Sequence, residues 1–136
     1  MSEKKEILVD VKHLKKYFQV SRTNVLKAVD DISFQIRRGE TVGLVGESGC
    51  GKSTAGRCLI RLDHPTEGEI YYKGKELAKQ DAKEKIEFCK NVQMIFQNPY
   101  SSLNPRMTVR EIVSEGIRLH DKLTEKEIAE KRKRIT

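Results

Sequence analysis

At 136 residues, the chain can form at most one ordinary domain. Its formal net charge of +7 suggests a nucleic-acid partner, but the densest basic run, residues 131–134, lies beside glutamates and so favours a solvated helix face. Three cysteines without CxxC spacing argue against a metal site or a disulfide framework, and no run approaches the roughly 20 apolar residues of a membrane span. We therefore expect a cytoplasmic chain that binds no nucleic acid.

The N-terminal part of the sequence contains two predicted strands. Residues 7–11 are short and apolar, which indicates the first. Residues 29–36 alternate between apolar and polar side chains, and this period of two is typical of a half-buried antiparallel strand. The apolar face carries Ile32, Phe34 and Ile36, and the polar face carries Ser33 and Gln35.

The next stretch predicts a buried strand, a glycine-rich loop and a helix in succession. Residues 41–45 are apolar without alternation, as in a strand covered on both faces, and predict a parallel sheet. After the loop, apolar residues recur with helical spacing at Ala55, Cys58, Leu59 and Leu62. Residues 65–68 then predict a turn, and residues 69–72 a further short strand.

Beyond this strand the pattern becomes more polar. Residues 75–90 are strongly charged and indicate a helix. Val92, Met94 and Phe96 alternate with other residues, which predicts a strand that ends at residues 97–99, where a proline interrupts it.

Two helix starts follow, each with the same pair of signals. Threonine precedes glutamate by three residues at Thr108 and Glu111, and the spacing recurs at Thr124 and Glu127, so each pair predicts a capping box. Apolar residues flank both boxes at the positions of a hydrophobic staple, namely Met107, Ile112, Leu123 and Ile128. The first helix is expected to present one apolar face, with Val109, Ile112, Val113, Gly116 and Ile117.

The glycine-rich loop matches the phosphate-binding pattern G-x-x-x-x-G-K-[ST]. Its residues are Gly46, Glu47, Ser48, Gly49, Cys50, Gly51, Lys52, Ser53 and Thr54. Glycines let successive backbone N–H groups point at phosphate oxygens, and the following helix adds the positive end of its dipole. Lys52 is expected to reach the β- and γ-phosphates, and the Ser53 hydroxyl to bind Mg²⁺. The sequence therefore predicts a site for a nucleoside triphosphate with Mg²⁺.

Cys50 lies inside this loop and allows two interpretations. A helix N-terminus lowers the pKa of a nearby thiol, so Cys50 could be reactive. The alternative is that Cys50 is only a small residue whose backbone N–H contacts phosphate. This alternative is favoured, because such loops bind phosphate through their backbone N–H groups.

The segments GESGCGKST at residues 46–54 and FQNPYSSLNPRMTV at residues 96–109 closely resemble the ATP-binding subunits of ABC transporters, especially those of oligopeptide and dipeptide importers. The resemblance extends over residues 8–119. It implies that Gln97 contacts Mg²⁺ and the attacking water and couples the nucleotide site to the membrane subunit. Without the resemblance, Gln97 would be interpreted as a polar residue at a strand end.

The resemblance also implies an aromatic residue that stacks on adenine upstream of the loop. Alignment by eye places Phe18 at this position, with Tyr17 next to it; the alternative is that both rings are ordinary core or strand residues. Residues 98–105 resemble the stretch that faces the coupling helices of the transport pore.

The implied fold is α/β, a P-loop NTPase core of ABC type with an antiparallel β-subdomain. Residues 1–40 would form strands of that subdomain, residues 41–107 the core through the glutamine loop, and residues 108–136 the start of a helical subdomain. The implied cofactors are ATP and Mg²⁺. The implied partners are the transmembrane permease subunits of an importer and a second ATP-binding subunit, at the inner face of the cell membrane.

Three parts of the family pattern do not occur in the sequence: an LSGGQ-like signature, an apolar strand ending in Asp-Glu, and the switch histidine. In the family these parts follow the region that the chain covers, so we expect an ATPase front half that is truncated and inactive alone. The alternative is a non-hydrolytic nucleotide-binding fragment or a truncated gene product. An ABC-type protein that acts on ribosomes or DNA is favoured by net charge alone, and the residues around Gln97 argue against it.

Overall fold

The structure is a computed structural model that describes residues 5–120 and 124–133. The chain forms two compact units, Met1–Cys89 and Lys90–Thr136. The first contains the sheet and the glycine-rich loop, and the second contains a pair of helices. No helix within the described ranges is long and apolar enough to cross a membrane.

The first unit is built on a four-stranded antiparallel sheet with the order β2-β1-β3-β4. Its strands are β1 (Ile7–Gln19), β2 (Val25–Arg37), β3 (Glu67–Tyr72) and β4 (Lys75–Glu76). The long hairpin of β1 and β2 dominates the sheet, and β3 pairs with the other edge of β1. The strands predicted at residues 29–36 and 69–72 lie within β2 and β3, so both predictions are confirmed.

The alternation of β2 appears in the structure as a difference in burial. Ile32 and Phe34 are half-buried, whereas Ser33 between them is exposed. Phe34 lies opposite Val11 of β1, and Val11 is buried. The apolar face of the hairpin thus contributes to the core of this unit, which contains Val11, Leu14, Val29, Ala55, Cys58, Ile70, Leu77 and Phe88.

Two helices complete the first unit: α1 (Lys52–Leu59) and α2 (Ala82–Asn91). Ala55 and Cys58 of α1 are buried, as their spacing predicted, but the helix ends before Leu62, which is exposed. The helix expected over residues 75–90 begins only at Ala82, because β4 and a short 3-10 helix, Leu77–Lys79, precede it. Phe88 of α2 packs edge-on against Tyr72 of β3, with ring centroids 5.2 Å apart.

Residues 41–45 and 92–96 do not form the strands that their apolar patterns predicted. The side chains of Val45 and Ile95 are 95% and 94% exposed. The predictions are wrong because an apolar run becomes a strand only when a neighbour completes its backbone hydrogen bonds. Among residues 5–120 and 124–133 no segment pairs with either run, so the expected parallel sheet does not form there. The expected antiparallel sheet of the N-terminal strands does form.

The second unit contains α3 (Val109–His120) and α4 (Glu125–Lys133), which pack against each other. The Glu111 carboxylate accepts hydrogen bonds from the Thr108 backbone N–H at 2.7 Å and hydroxyl at 2.9 Å. Thr124 makes the same two bonds to Glu127, at 2.8 and 2.6 Å. Both predicted capping boxes are confirmed, whereas Leu123, which belongs to the second predicted staple, lies outside the described residues.

The predicted apolar face of α3 is confirmed only in part. Ile117 is buried, and Ile112 and Val113 are half-buried. Val109 and Gly116 are exposed. Ile128 of α4 is buried, which is consistent with the packing of the two helices along their central turns.

Candidate functional site

The glycine-rich loop leads directly into α1, and its backbone requires glycine at Gly51. Gly51 has φ +89°, and a Cβ there would lie 1.9 Å from the Ala28 carbonyl oxygen of β2. A Cβ at Gly46 would lie 2.6 Å from the Cys50 sulfur. A side chain at position 51 would therefore push the loop away from the sheet, whereas the Cys50 side chain can rotate away from a Cβ at position 46.

The N-terminus of α1 has the features of an anion site. Its N-cap is Gly51, which provides no side-chain cap, and its first turn contains no acidic residue. The first hydrogen bond of the helix runs from the Ala55 N–H to the Gly51 carbonyl, at 2.8 Å. The preceding N–H groups of this turn therefore have no acceptor within the helix, and the helix dipole adds positive charge beside them.

The Lys52 side chain folds back over the loop. Its ammonium donates hydrogen bonds to the carbonyl oxygens of Gly46, at 2.7 Å, and of Glu47. It also lies 3.4 Å from the Cys50 sulfur. A full positive charge thus stands at the mouth of the loop beside the free N–H groups of α1, where phosphate oxygens would replace the carbonyl acceptors.

A cavity of about 230 Å³ joins this loop to the turn end of the β1–β2 hairpin. Its walls are Phe18, Leu26, Lys27, Ala28, Gly49, Gly51, Lys52, Ser53 and Thr54. The structure therefore brings Phe18 together with the second half of the predicted phosphate loop. The remaining predicted loop residues, Gly46, Glu47, Ser48 and Cys50, form the exposed outer part of the loop.

Three wall residues were missed by reasoning from the sequence: Leu26, Lys27 and Ala28 of β2. Leu26 lies opposite Phe18 in the hairpin register, so it reaches the cavity beside the ring. Only the pairing of β1 with β2 would have indicated that these residues lie beside Phe18. That register could not be read from the sequence, because several bulges shift it between Val11 and Tyr17.

Tyr17 is turned to other contacts and does not line this cavity. Its hydroxyl donates a hydrogen bond to the Asp30 carboxylate. This bond raises the pKa of Tyr17 and lowers the pKa of Asp30. Lys27 also pairs with Asp30, at 3.3 Å, and lies over the Tyr17 ring. Of the two neighbouring aromatics, only Phe18 has access to the space beside the loop.

The site offers few ligands of its own for a cation. Ser53 is exposed in the first turn of α1, and its hydroxyl is the only oxygen among the predicted Mg²⁺ ligands that borders the cavity. The described part of the chain contains no cluster of three or more His, Cys, Asp or Glu residues that could hold a metal ion. A hard cation at this position would therefore require oxygens from a bound phosphate as well.

Gln97 belongs to the second unit, and its side chain is exposed. It follows the extended residues 92–96 and precedes a 3-10 helix, Pro99–Ser102. Tyr100 and Leu103 nearby are also exposed. The role predicted for Gln97 at the phosphate site remains a prediction.

The two cysteines nearest the site differ in environment. Cys58 of α1 is buried, and burial raises the pKa of its thiol, so it behaves as a small core residue. Cys50 is exposed in the loop. Its backbone N–H donates to the Glu47 carbonyl at 3.3 Å, which helps to close the loop in this state.

A protein-family model described as "ABC transporter" matches residues 29–136. A putative oligopeptide transport ATP-binding protein of Bacillus subtilis (strain 168) is 55% identical over 114 residues, which are 84% of this chain and 35% of that protein. The dipeptide transport ATP-binding protein of Haemophilus influenzae is 46% identical over 123 residues, with 87% and 38% covered. The chain thus spans little more than a third of the length of these relatives.

Solved structures show the same similarity in the fold. A dimeric bacterial ABC transporter cassette superposes with a TM-score of 0.75 at 26% identity, over 93% of this chain and 53% of that one. The post-hydrolysis state of this cassette, bound to ADP and Pi, gives 0.74 at 27% identity with the same coverage. Both are ATPase cassettes with a P-loop NTPase core, so the predicted fold class is confirmed although the described residues leave the parallel sheet unformed.

Proposed function

Because the chain belongs to the ABC transporter family, we propose that it binds ATP as part of the energy-coupling subunit of a bacterial peptide importer. The observation that carries this proposal is the cavity that Phe18 shares with the phosphate loop. An aromatic face at one end and a cationic loop at the other match the two ends of a nucleotide. The oligopeptide and dipeptide transport proteins among the relatives support the choice of solute class.

The loop would bind the triphosphate through its backbone. The N–H groups at the start of α1 would donate to phosphate oxygens, and the Lys52 ammonium would leave the carbonyls of Gly46 and Glu47 for the β- and γ-phosphates. The Ser53 hydroxyl would hold Mg²⁺, which when bound neutralises charge between these two phosphates. The adenine ring would stack on Phe18.

Gln97 would complete the site by contacting Mg²⁺ and orienting the attacking water. We place hydrolysis in the full-length protein, by in-line attack of water on the γ-phosphate between two ATP-binding subunits. The dimeric cassette supports the second subunit as a partner. The other partners would be transmembrane permease subunits, which would hold the protein at the inner face of the cell membrane.

The test is a calorimetric titration of Mg-ATP into the wild-type chain and Lys52→Ala. Loss of the ammonium should weaken binding by more than about 1 kcal/mol, or at least about fivefold, because a charged hydrogen-bond donor to phosphate is removed. Lys83→Ala, which removes an exposed lysine from α2, is the matched control and should bind as the wild type does. Equal affinity in Lys52→Ala and Lys83→Ala would refute the phosphate site.

A further inference from the structure

The Phe18 ring has a cation on one side. The Lys16 ammonium lies 4.9 Å from the ring centroid and donates a hydrogen bond to the His64 carbonyl oxygen, at 2.8 Å. The two residues are two apart in β1, so they project from the same face of the strand. The Lys16 ammonium thus makes two contacts at once, with the Phe18 ring and with the segment that follows α1.

Lys16 contacts the Phe18 ring without lining the cavity beside the glycine-rich loop. Phe18 lines the 230 Å³ cavity, whereas Lys16 does not. The ring nevertheless remains 38% exposed. The ammonium therefore contacts the ring from outside the cavity, and part of Phe18 stays accessible to a ligand in the cavity.

The turn at residues 64–66 links this arrangement to the phosphate loop. The Tyr17 N–H donates to the Thr66 hydroxyl at 2.9 Å, and the Thr66 N–H donates to the Lys15 carbonyl at 2.8 Å. This turn follows α1, whose N-terminus forms the anion site. The bond from Lys16 to His64 thus joins the part of β1 that carries Phe18 to the segment that follows α1.

We infer that Lys16 is a positioning residue for base recognition: it holds the Phe18 ring in the orientation that stacks on the nucleobase. This inference rests on the proposed nucleotide-binding function. A ring that is held in place before binding loses less side-chain freedom when the base stacks on it. The effect of Lys16 should therefore depend on the base and be absent for a ligand that has only phosphates.

The experiment compares Mg-ATP with magnesium tripolyphosphate, which lacks base and ribose, by calorimetric titration of the full chain. Lys16→Gln should weaken Mg-ATP about threefold, which is the size of an exposed cation–π contact, and leave tripolyphosphate unchanged. Lys16→Arg should restore ATP affinity, because a guanidinium also stacks on an aromatic face. Adding Lys16→Gln to Phe18→Ala should cost nothing further, since the ring on which Lys16 acts is gone.

Lys12→Gln is the matched control. Lys12 lies on the same strand with its ammonium 4.8 Å from the centroid of another ring, Tyr71, and it does not line the cavity. This variant should bind both ligands as the wild type does. A general loss of stability would affect Lys12→Gln and Lys16→Gln alike, so the control separates a local effect on the ring from a weaker strand.

The outcomes separate the inference from the function on which it rests. If Phe18→Ala weakens Mg-ATP and Lys16→Gln does not, the inference about Lys16 is overturned and the nucleotide site stands. An equal loss of ATP and tripolyphosphate in Lys16→Gln also overturns it, because the role of Lys16 would then be independent of the base. If the wild type binds tripolyphosphate and ATP equally and Phe18→Ala changes neither, base stacking on Phe18 itself is wrong. Failure of the wild type to bind either ligand refutes the proposed function.

Discussion

At the scale of single residues, Phe18 and Tyr17 are adjacent aromatics with different surroundings. Phe18 borders the cavity beside the phosphate loop, and Tyr17 is held by Asp30 and the Lys27 ammonium. Stacking on an aromatic ring contributes about 1–3 kcal/mol per base and tolerates different bases. The structure thus distinguishes two residues that the sequence leaves side by side.

We therefore predict that Phe18→Ala weakens the binding of ATP and GTP alike, by about fivefold or more. Phe18→Trp should preserve both affinities, because a larger ring still offers a stacking face. The measurement is a fluorescence or calorimetric titration with each nucleotide. Tyr17→Ala is the control that removes the neighbouring ring, and if it is the damaging change, the assignment is off by one residue.

The glycine-rich loop could be proposed as a phosphate site from the sequence because its signals are local. Glycine spacing, one lysine and one serine within nine positions specify a backbone that curls around an anion. The β2 wall of the cavity could not be predicted in this way. Leu26 reaches the site only through the hairpin register, which is a contact between distant residues.

At the scale of elements, success also depended on whether a signal was local. The two capping boxes are set by residues three apart, and both form. The first strand was predicted too short, since β1 continues to Gln19. His13 has φ +50° and bonds through its Nδ1 to Asp31 of β2, so an irregularity there hides the alternation of the second half of β1.

The two failed strand predictions share a cause at this scale. Residues 41–45 and 92–96 are apolar enough for strands, but strand formation also requires neighbouring backbone groups. An apolar run indicates that a segment is buried. It does not indicate which other segment forms backbone hydrogen bonds with it. Helix α1 did form as predicted, because its hydrogen bonds lie within the segment itself.

The first capping box gives a prediction about the stability of α3. Thr108→Ala should lower the hydrogen-exchange protection of the α3 amides by about 1 kcal/mol, because it removes the hydroxyl that caps the Glu111 N–H at 3.3 Å. The bonds from Thr108 also lower the pKa of Glu111 below its ordinary value of 4.5. The stabilisation that these bonds to the Glu111 carboxylate provide is therefore complete above pH 4.5. It is lost as the pH falls through the lower pKa that Glu111 has in the folded chain.

The difference in protection between Thr108→Ala and the wild type should accordingly shrink in acid. Thr124→Ala is the matched control, since it removes the equivalent hydroxyl from α4. It should change protection at the start of α4 and leave the start of α3 largely unaffected. A difference between Thr108→Ala and the wild type that stays constant from neutral pH to below the Glu111 pKa would show that the bond from the Thr108 hydroxyl to the Glu111 carboxylate contributes nothing.

At the scale of the whole molecule, exposed apolar side chains mark where further contacts are expected. Tyr100 is 83% exposed within the short 3-10 helix, and Leu103, which follows this helix, is also exposed. Exposed aromatic and aliphatic residues on a loop are typical of a binding surface. They lie within residues 98–105, the stretch that resembles the surface facing the transport pore in peptide importers.

We predict that Tyr100→Ala and Leu103→Ala in the full-length protein keep normal Mg-ATP affinity but weaken association with the permease subunits, by about fivefold or more. The readout is co-purification of the assembled transporter, with nucleotide titration in parallel. Leu119→Ala, an exposed leucine on α3, is the control and should assemble normally. Undiminished assembly and transport in both variants would make this stretch an ordinary surface loop.

The last prediction concerns chemistry by the 136-residue chain itself: it should bind Mg-ATP weakly and should not turn it over. Phosphoryl transfer needs a carboxylate that anchors Mg²⁺ and a group that orients the attacking water, in addition to the phosphate loop. The described residues that line the cavity include no aspartate or glutamate. They can position and neutralise the phosphates, and this accounts for binding rather than cleavage.

The exposed runs at residues 41–45 and 92–96 should lower the affinity further, because a loop whose preceding strand is unpaired is held less firmly. We expect phosphate release from the purified chain to equal that of buffer. We also expect the chain to self-associate through these two apolar runs, whose backbone groups are unpaired. Lys52→Ala is the control for a contaminating ATPase, since contamination would persist in it. Steady turnover by the wild type that Lys52→Ala abolishes would show that these residues contain a catalytic group outside the site described here.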